Sequence, residues 1–437
     1  MNDKQENYSY TLTTLSPLHI GTGEEMPPIE FYIDETQNRI IVPDLQKVFE
    51  EIRDEKQIKR VVEDISKNSN NTLDRVLKVV KLSEKNWSYA TKALNNSKLY
   101  SYALSQIKID ESKNVQSKTQ VPKNLKLFIK NSNYQSYIPG SSIKGALRMA
   151  WLYEQCSKKQ NKEILKEVLR DSIKESEEET KRKNRDEKNV NQTTRIADAN
   201  INRQFVVGKP QPPIRHGEMS NYDFFRALQV SDTNAVDNDK SMGIVIERIL
   251  TATVGLSGVT EKSVNSIFDG RRSFLEIISS ETSFIGRISF NQNLLKSVEI
   301  KEKLGWAGFP DFSIEKLCKA VNLFARDVCN WEAGYFWSLK QTTSCNTEKI
   351  FKAYEKLTKM INDAPANTAY LSLGHGSGWH KFTLGTLLIR NPEMRELLNE
   401  FGIDGSYRHP KTRKLPMESE FVAGQVFGWV KIEFEKI

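Results

Sequence analysis

Cysteine, histidine and long apolar stretches are all scarce in this sequence of 437 residues. The four cysteines lie far apart with no C-x-x-C pair, which argues against a zinc site and against a disulfide framework. No apolar run is long enough to cross a bilayer, and the first residues, M-N-D-K-Q-E-N, lack an apolar signal segment. We therefore expect a cytoplasmic protein with reduced thiols, no cofactor, no metal site and no membrane partner.

The charge balance is basic. Lysine and arginine number 64 against 56 aspartates and glutamates, which gives a net charge of +8 and a pI near 9.0. A hydrophobic content of 38% is ample for a core, and the length allows two or more domains. Such a protein suits a polyanionic partner, although the basic excess is moderate.

Strands and helices alternate along the chain, which indicates the α+β class. Strands are predicted at 8–20, 29–33, 39–42, 125–129, 136–138, 223–231, 243–250, 273–279, 283–290 and 428–434. Helices are predicted after Pro43-Asp44, through much of 55–117, and at 140–156, 294–339 and 347–361. The segments 273–279 and 283–290 alternate in polarity, so we expect them to be antiparallel neighbours.

A stretch of dense mixed charge at 158–191 predicts an exposed helix that fades into a linker. The prolines of the loop at 208–216 support a boundary just beyond it. We therefore expect one domain at 1–205 with a helical insertion. The second domain, at 206–437, would carry another helical insertion and a glycine-rich loop.

The most informative stretch is Y-I-P-G-S-S-I-K-G-A-L-R-M-A-W at 137–151. A strand end runs into Gly140, Ser141 or Ser142 can cap a helix, and an apolar face leaves Lys144 and Arg148 along its edge. A helix N-terminus with serines and nearby cations attracts phosphate. A capped core helix with solvated charges explains the same residues equally well. The spacing does not match the P-loop of a triphosphatase, since Ala146-Leu147 follows the second glycine.

A second candidate is the glycine loop, G-H-G-S-G-W-H-K at 374–381. Its glycines Gly374, Gly376 and Gly378 permit close backbone approach to a ligand, and the flanking Trp379 and Lys381 suit a nucleic-acid base and backbone. The dinucleotide pattern G-x-G-x-x-G fails because Trp379 stands at its last position. A tight packing turn remains the alternative.

The remaining candidates are histidines and a basic run. The histidines suit hydrogen bonding or stacking better than catalysis, because none shows a metal-ligand pattern or an orienting carboxylate; they are His19, His216, His375, His380 and His409. The run Arg408, Lys411, Arg413 and Lys414 suits phosphate contact, or else an exposed loop.

Three strings together resemble the repeat-associated mysterious protein (RAMP) superfamily of CRISPR systems. They are S-P-L-H-I-G-T-G at 16–23, I-P-G-S-S-I-K-G-A-L-R at 138–148, and the glycine loop with the later F-G-W-V-K-I. Length and motif order look most like a subunit of type III-A effector complexes. The resemblance implies two ferredoxin-like, RRM-related domains with large helical insertions. It also implies a protein that caps the complex at the 3′ part of the CRISPR RNA and supports RNA maturation and assembly.

The same resemblance implies the partners and the RNA-binding residues. The partners would be CRISPR RNA, the neighbouring backbone and small helical subunits, and host nucleases as further candidates. By the resemblance, the RNA would be held by the helix start and by the first loop at 16–23, with the glycine loop close to its path. The residues implicated in this way are His19, Gly21, Gly23, Gly140, Ser141, Ser142, Lys144, Arg148, Gly374, His375, Gly376, Gly378, Trp379 and Lys381. The charge of the basic run adds Arg408, Lys411 and Arg413 as candidate phosphate contacts.

We do not expect this chain to be an enzyme. Related backbone subunits cut target RNA with an aspartate after the first strand, whereas this chain has Glu24 and Glu25 there and no aspartate until Asp34. A metal-independent processing ribonuclease that uses His19 and the glycine-loop histidines His375 and His380 is the alternative, since histidines serve that role in a related branch of the superfamily. A purely structural docking protein without RNA contact is the third possibility.

Overall fold

The computed structural model describes residues 5–34, 39–51, 55–67, 73, 94–103, 124–182, 190–210, 218–252, 254–256, 258–259, 268–342, 347–419 and 422–437. Most of the helical run predicted at 55–117 lies outside these residues, as do His216, Cys345 and part of the charge-dense stretch. Within them, helices and mainly antiparallel sheets combine, so the predicted α+β class is confirmed.

The strands bring together distant parts of the chain. In order they are β1 Gln5–Thr14, β2 Gly21–Met26, β3 Tyr32–Asp34, β4 Arg39–Pro43, β5 Lys98–Ala103, β6 Leu125–Phe128, β7 Leu228–Val230, β8 Met242–Thr251, β9 Val254–Gly255, β10 Gly258–Val259, β11 Phe268–Ile278, β12 Ser283–Asn291, β13 Thr368–Ser372, β14 Thr412–Ser419, β15 Val422–Ala423 and β16 Trp429–Lys436. The hairpin predicted at the N-terminus is confirmed, since β3 pairs antiparallel with β4. The strand at 98–103 corrects the helix expected there, because pairing with β4 decides its conformation.

The α-helices flank these strands. They are α1 Leu45–Glu51, α2 Glu55–Lys67, α3 Gly140–Ser157, α4 Lys162–Arg182, α5 Val190–Phe205, α6 Asn238–Ser241, α7 Gln292–Lys296, α8 Val298–Leu304, α9 Ile314–Thr342, α10 Glu348–Asn362, α11 Gly378–Phe382, α12 Gly385–Arg390 and α13 Pro392–Leu398. Short 3-10 turns occur at Pro28–Glu30, Lys159–Asn161, Met219–Tyr222, Phe224–Ala227 and Asn399–Phe401. The described part of the chain contains no helix with the length and apolar character needed to span a bilayer.

A five-stranded antiparallel sheet runs in the order β13-β16-β1-β12-β7. Along β1, Tyr8, Tyr10 and Leu12 alternate with more exposed residues, as expected for a strand with one buried face. Tyr10 crosses over Gly286 of β12, where a Cβ would lie 2.2 Å from the tyrosine hydroxyl. Helices α3 and α9 pack against each other and against β13, which covers one face of this sheet.

A second sheet runs in the order β2-β6-β11-β8-β5-β4-β3; β14 also pairs with β8, and β15 pairs with β14. The segments predicted to pair with each other, β11 and β12, lie in different sheets. β11 pairs with β8 and β6, whereas β12 pairs with β1 and β7. The prediction was wrong because polarity alternation reports a half-buried strand but does not identify its partner. The short link between them therefore joins the two sheets.

Both sheets combine strands from either side of residue 205, the predicted domain boundary. β1 pairs with β12 and β16, and β6 pairs with β11, so strands of the first half depend on the second half for their hydrogen bonds. A single cluster of buried apolar residues also extends from Tyr8 to Phe434. The division at 205/206 therefore does not separate the sheets or the core.

Candidate nucleic-acid interface

The first loop and the glycine loop lie in direct contact. The backbone N–H of His375 donates to the carbonyl of His19 at 2.7 Å, and the two imidazole rings meet edge to face at 5.5 Å. Gly374 has φ +64, and a Cβ there would lie 2.1 Å from the carbonyl oxygen of His19. Only glycine allows this approach, so the packing turn considered from the sequence is a real part of the loop's structure.

The helix start lines one wall of a cavity of about 450 Å³, here called the helix-side cavity. Its lining residues come from α3, α5, the glycine loop and the end of α11; they are Ser141, Ser142, Gly145, Ala146, Arg148, Met149, Leu152, Asp198, Asn202, Gly374 and Phe382. The charged members are one cation and one anion. The cavity is therefore polar without being strongly basic.

The glycine loop lines a second cavity of about 390 Å³, here called the glycine-side cavity. The segment that contains the basic run contributes Pro410, Thr412, Arg413 and Lys414 to the wall of this cavity. Gly374 and Phe382 line both cavities, so the two cavities are neighbours, and the pair is here called the groove. Both volumes lie in the range of roughly 300–1,000 Å³ that is usual for ligand sites. The structure thus brings the helix start, the glycine loop and the basic run to one groove.

The capping prediction at the helix start is wrong. α3 begins at Gly140 after Pro139, with no side-chain cap from Ser141 or Ser142. The N–H of Gly140 instead donates to Asp232 Oδ1 at 2.7 Å, and the N–H groups of Ser142 and Ile143 donate to the carbonyl of Pro139. A carboxylate from a distant loop therefore already occupies the positive end of the helix, where the sequence suggested phosphate.

The two cations of the helix also have internal partners. Lys144 Nζ donates to the carbonyl of Leu228 at 2.7 Å, and burial lowers the pKa of this lysine. Arg148 donates through Nε and Nη2 to Asp223 Oδ2 at 2.9 and 2.7 Å. These contacts fasten α3 to the segment that leads into β7. Arg148 nevertheless lines the helix-side cavity, whereas Lys144 does not.

Some side chains of the basic run are buried and others are exposed, because residues 412–419 form strand β14 rather than a loop. Successive side chains of a strand point to opposite faces, so Arg413 is buried and Lys414 is exposed. The half-buried guanidinium of Arg408 lies 5.0 Å from the ring centre of Trp331, while Lys411 is exposed beside Tyr407. Of the run, Lys411 and Lys414 therefore have the exposure that phosphate contact requires.

A buried charge cluster lies beneath the glycine loop. Arg413 Nη2 donates to Glu332 Oε1 at 2.7 Å, and His380 Nε2 lies 3.5 Å from the same oxygen. Burial opposes ionisation of Glu332, but the charge of Arg413 keeps its pKa below the usual range. Lys381 is buried among these groups, and desolvation lowers its pKa to about 8. Lys381 and Arg413, which were predicted from the sequence to contact RNA, are thus buried in the charge cluster that supports the glycine loop.

The first loop is buried at His19 and exposed at Gly21 and Gly23, which lie on β2. The Nδ1 of His19 bonds to the carbonyl of Glu276 at 2.6 Å, so this nitrogen carries the proton. Burial lowers the pKa of His19 to about 4, which keeps the ring neutral at physiological pH. A general acid for RNA cleavage would need access to solvent, and His19 is only 4% exposed.

We expect His19 to make the fold sensitive to acid. Its pKa of about 4 lies below the ordinary 6.5, so the unfolded chain binds the extra proton between these values and stability falls as pH drops from 6.5 through 4. A shift of this size corresponds to roughly 3 kcal/mol. His19→Asn keeps a donor for the Glu276 carbonyl but cannot titrate. The free energy of unfolding, measured in urea, should differ less between wild type and variant at pH 4.5 than at pH 7, because only the wild type loses stability as the pH falls. A difference that stays constant over this range would contradict the lowered pKa of His19.

Several groove and support residues escaped the sequence reasoning. Phe382 reads as an ordinary apolar position next to Lys381, yet it is 42% exposed at the junction of the cavities. Asp223 and Asp232 are remote in sequence from the helix they anchor, so no local pattern could have identified them. Glu332 carries no signal either, because it lies within a long amphipathic helix. Within the described residues, no group of three or more His, Cys, Asp or Glu side chains is placed to hold a metal ion.

Comparisons with known proteins cover most of the chain. The family model described as the RAMP superfamily matches residues 11–379. The protein Csm5 of Methanocaldococcus jannaschii, described as a CRISPR system protein, is 26% identical over 385 residues, which span 87% of this chain and 73% of that protein. A second Csm5, from Streptococcus thermophilus, is 24% identical over 152 residues, or 34% of this chain and 38% of the relative.

Solved structures share the fold. A chain in a cryo-EM structure of a Csm–crRNA–target RNA ternary complex aligns over 98% of this chain and 100% of its own length, with a TM-score of 0.60 at 21% identity. The crystal structure of Csm5 from T. onnurineus aligns over 96% and 99%, with a TM-score of 0.52 at 22% identity. The sequence match extends from β1 into the glycine loop and so includes the helix start, whereas Phe382 and the basic run lie beyond it. This chain belongs to the RAMP superfamily.

Proposed function

We propose that this chain is a non-catalytic RNA-binding subunit of a type III-A CRISPR effector, the Csm complex. In this role it caps the end of the complex that holds the 3′ part of the CRISPR RNA and supports RNA maturation and assembly. Its partners there are the neighbouring backbone and small helical subunits, with host nucleases as further candidates. The names of the relatives support membership of the complex, and two ferredoxin-like domains remain our interpretation of the interleaved sheets.

The observation that carries the RNA-binding proposal is the single groove. Regions more than 200 residues apart in sequence, the helix start near Ser141 and the glycine loop near Gly376, line neighbouring cavities that share Gly374 and Phe382. Exposed Lys414 lines the same groove and Lys411 lies three residues away, which supplies cations for a phosphate backbone. Serine hydroxyls and open glycine backbone along the walls suit contacts to sugar and phosphate.

The geometry argues against His19 and His380 as the groups of a ribonuclease, whereas His375 lines the glycine-side cavity and, contrary to the sequence expectation, has an orienting carboxylate in Glu247. Cleavage of RNA by an acid–base pair needs a histidine within hydrogen-bond reach of the reacting hydroxyl. His19 is buried and neutral, and His380 is buried beside Glu332 with a pKa that desolvation lowers to about 3. His19 packs against the rings of Phe128 and His375, and both His19 and His380 are buried. Incubation of the pure protein with a CRISPR RNA precursor, with and without chelator, should leave the RNA intact.

Co-purification tests the proposed role. A tagged chain expressed with the other Csm subunits and a CRISPR array should recover those subunits together with CRISPR RNA. Nuclease digestion of the recovered particles followed by sequencing should show protection of the 3′ part, and particles that lack this chain should lose that protection. Recovery of the subunits with unchanged 3′ protection in the absence of this chain would contradict the capping role.

We expect the exposed lysines to contact phosphate. Lys411→Ala together with Lys414→Ala should weaken binding to single-stranded RNA of any sequence, because phosphate contacts carry no base information. The slope of log affinity against log salt should fall by roughly 1.4, since each phosphate contact to a single strand contributes about 0.7. Titrations by fluorescence anisotropy at several salt concentrations measure both quantities.

The matched control is Lys240→Ala, which removes an exposed lysine that lines neither cavity. Its affinity and salt slope should equal those of the wild type. An equal slope in the double variant and the wild type would show that these two lysines do not neutralise RNA phosphates.

A further inference from the structure

Phe382 is exposed to solvent, whereas the other large side chains of its helix are buried or partly covered. It ends helix α11, in which His380 and Lys381 are buried and Trp379 is partly covered. Its own exposed fraction is 42%. Full burial of a phenylalanine contributes roughly 1.5–3 kcal/mol relative to full exposure, so the exposed part of Phe382 forgoes a share of that stabilisation.

The backbone that carries Phe382 is firmly held. Ser377 Oγ donates to the carbonyl of Gly374 at 2.6 Å on the N-terminal side of the helix, and Thr383 Oγ1 donates to the carbonyl of Trp379 at 2.6 Å on the other. The indole of Trp379 lies over Gly385, where a Cβ would come within 2.1 Å of the ring. The aromatic ring of Phe382 is therefore presented from a fixed support, which lowers the entropic cost of binding a flat partner.

The surroundings identify the chemistry of that partner. Phe382 and Gly374 each line both cavities, so a ligand that occupies both neighbouring cavities would lie against them. One side of this crossing has exposed Lys414, and the other has Ser141, Ser142 and Asn202. A flat apolar ring between polar and cationic groups matches a chain with alternating bases and phosphates.

We propose that Phe382 stacks on one unpaired base of a single-stranded RNA at the junction of the two cavities. This inference rests on the proposed RNA-binding function and adds a base-binding subsite to it. The strand crosses Gly374 with its backbone while the base lies against the phenylalanine ring. Stacking tolerates any base, because every base has a flat aromatic face. A continuous duplex cannot present such a base, so Phe382 selects single strands.

Substitution of Phe382 tests the subsite in the full chain. Phe382→Ala should weaken binding of single-stranded RNA roughly five- to hundredfold, because stacking of one base on an aromatic side chain contributes about 1–3 kcal/mol. The salt slope should stay at the wild-type value, which separates this residue from the lysines. Phe382→Trp should retain affinity, and Phe382→Leu, which keeps an apolar side chain without a π-face, should lose it.

A fluorescent base gives a direct readout. RNA with 2-aminopurine at successive positions should show, at one position, a change in emission on binding to the wild type that is absent with Phe382→Ala and restored with Phe382→Trp. Val298→Ala, which alters a side chain 70% exposed and outside both cavities, should behave as the wild type in every assay.

The outcomes distinguish the subsite from the proposed function. Wild-type protein that binds RNA while Phe382→Ala and Phe382→Leu bind equally well overturns the stacking subsite and leaves RNA binding intact. Full RNA affinity in Phe382→Ala with loss of Csm complex assembly overturns it also, since Phe382 would then contact a protein. Wild-type protein with no affinity for RNA overturns both proposals.

Discussion

Gly145→Glu is expected to bind single-stranded RNA about tenfold more weakly than the wild type, whereas Gly145→Lys binds at least as tightly. Gly145 is exposed on α3 and lines the helix-side cavity, and a Cβ at this position meets no atom within 4 Å. A side chain there extends into the groove without disturbing the core. At contact distances a single charge near a phosphate contributes roughly 1–3 kcal/mol, so the two variants should differ by up to about a hundredfold.

Both Gly145 variants should fold at least as well as the wild type. Glutamate and lysine each favour a helix over glycine by roughly 0.5–1 kcal/mol, and thermal melts should show this gain. The comparison therefore separates groove electrostatics from folding. Equal RNA affinities for Gly145→Glu and Gly145→Lys, measured at low salt, would show that RNA does not pass through the helix-side cavity.

Glu332→Gln is expected to lower the free energy of unfolding by about 3–5 kcal/mol, the usual cost of breaking a buried ion pair by removing one partner. The carboxylate is 1% exposed and accepts from both Nε and Nη2 of Arg413. Its loss leaves Arg413 and Lys381 buried without a counter-charge. Because this cluster supports the glycine loop, urea unfolding should show the loss and RNA binding should weaken with it.

The matched control is Asp171→Asn, which breaks the exposed pair between Asp171 and Lys174 on α4. Exposed pairs contribute roughly 0–1 kcal/mol, so this variant should unfold almost as the wild type does. A loss of less than about 1 kcal/mol in Glu332→Gln as well would mean that the buried cluster is not a main support of the loop.

The sequence predicted the elements of this fold far better than their partners. The strands expected at 243–250, 273–279, 283–290 and 428–434 correspond to β8, β11, β12 and β16, and the helices expected at 294–339 and 347–361 cover most of α9 and α10. Pairing depends on contacts between remote segments, which periodicity does not encode. The pair expected between β11 and β12 was therefore wrong, and the strand Lys98–Ala103 was mistaken for part of a helix.

In the candidate site, too, the sequence predicted which segments take part better than it predicted the contacts of their side chains. Motifs located the helix start, the glycine loop and the basic run, and the structure places all three around one groove. Their charges were harder to interpret, because Asp232, Asp223 and Glu332 come from remote segments and hold groups that the sequence assigned to phosphate. The run was expected to contact phosphate or to form an exposed loop, and no local pattern indicated that Arg413 lies on a strand, where alternate side chains point inward.

Crosslinking tests the central claim most directly, namely that a strand of RNA lies in the groove where the two cavities meet. The assembled complex, prepared with CRISPR RNA that contains a photoreactive uridine at successive 3′ positions, is irradiated, digested and analysed by mass spectrometry. Our account predicts crosslinks to the peptides that contain Phe382 and Lys414 and to the start of α3 near Ser141. Crosslinks confined to surfaces outside both cavities, such as α2 or α10, would contradict it.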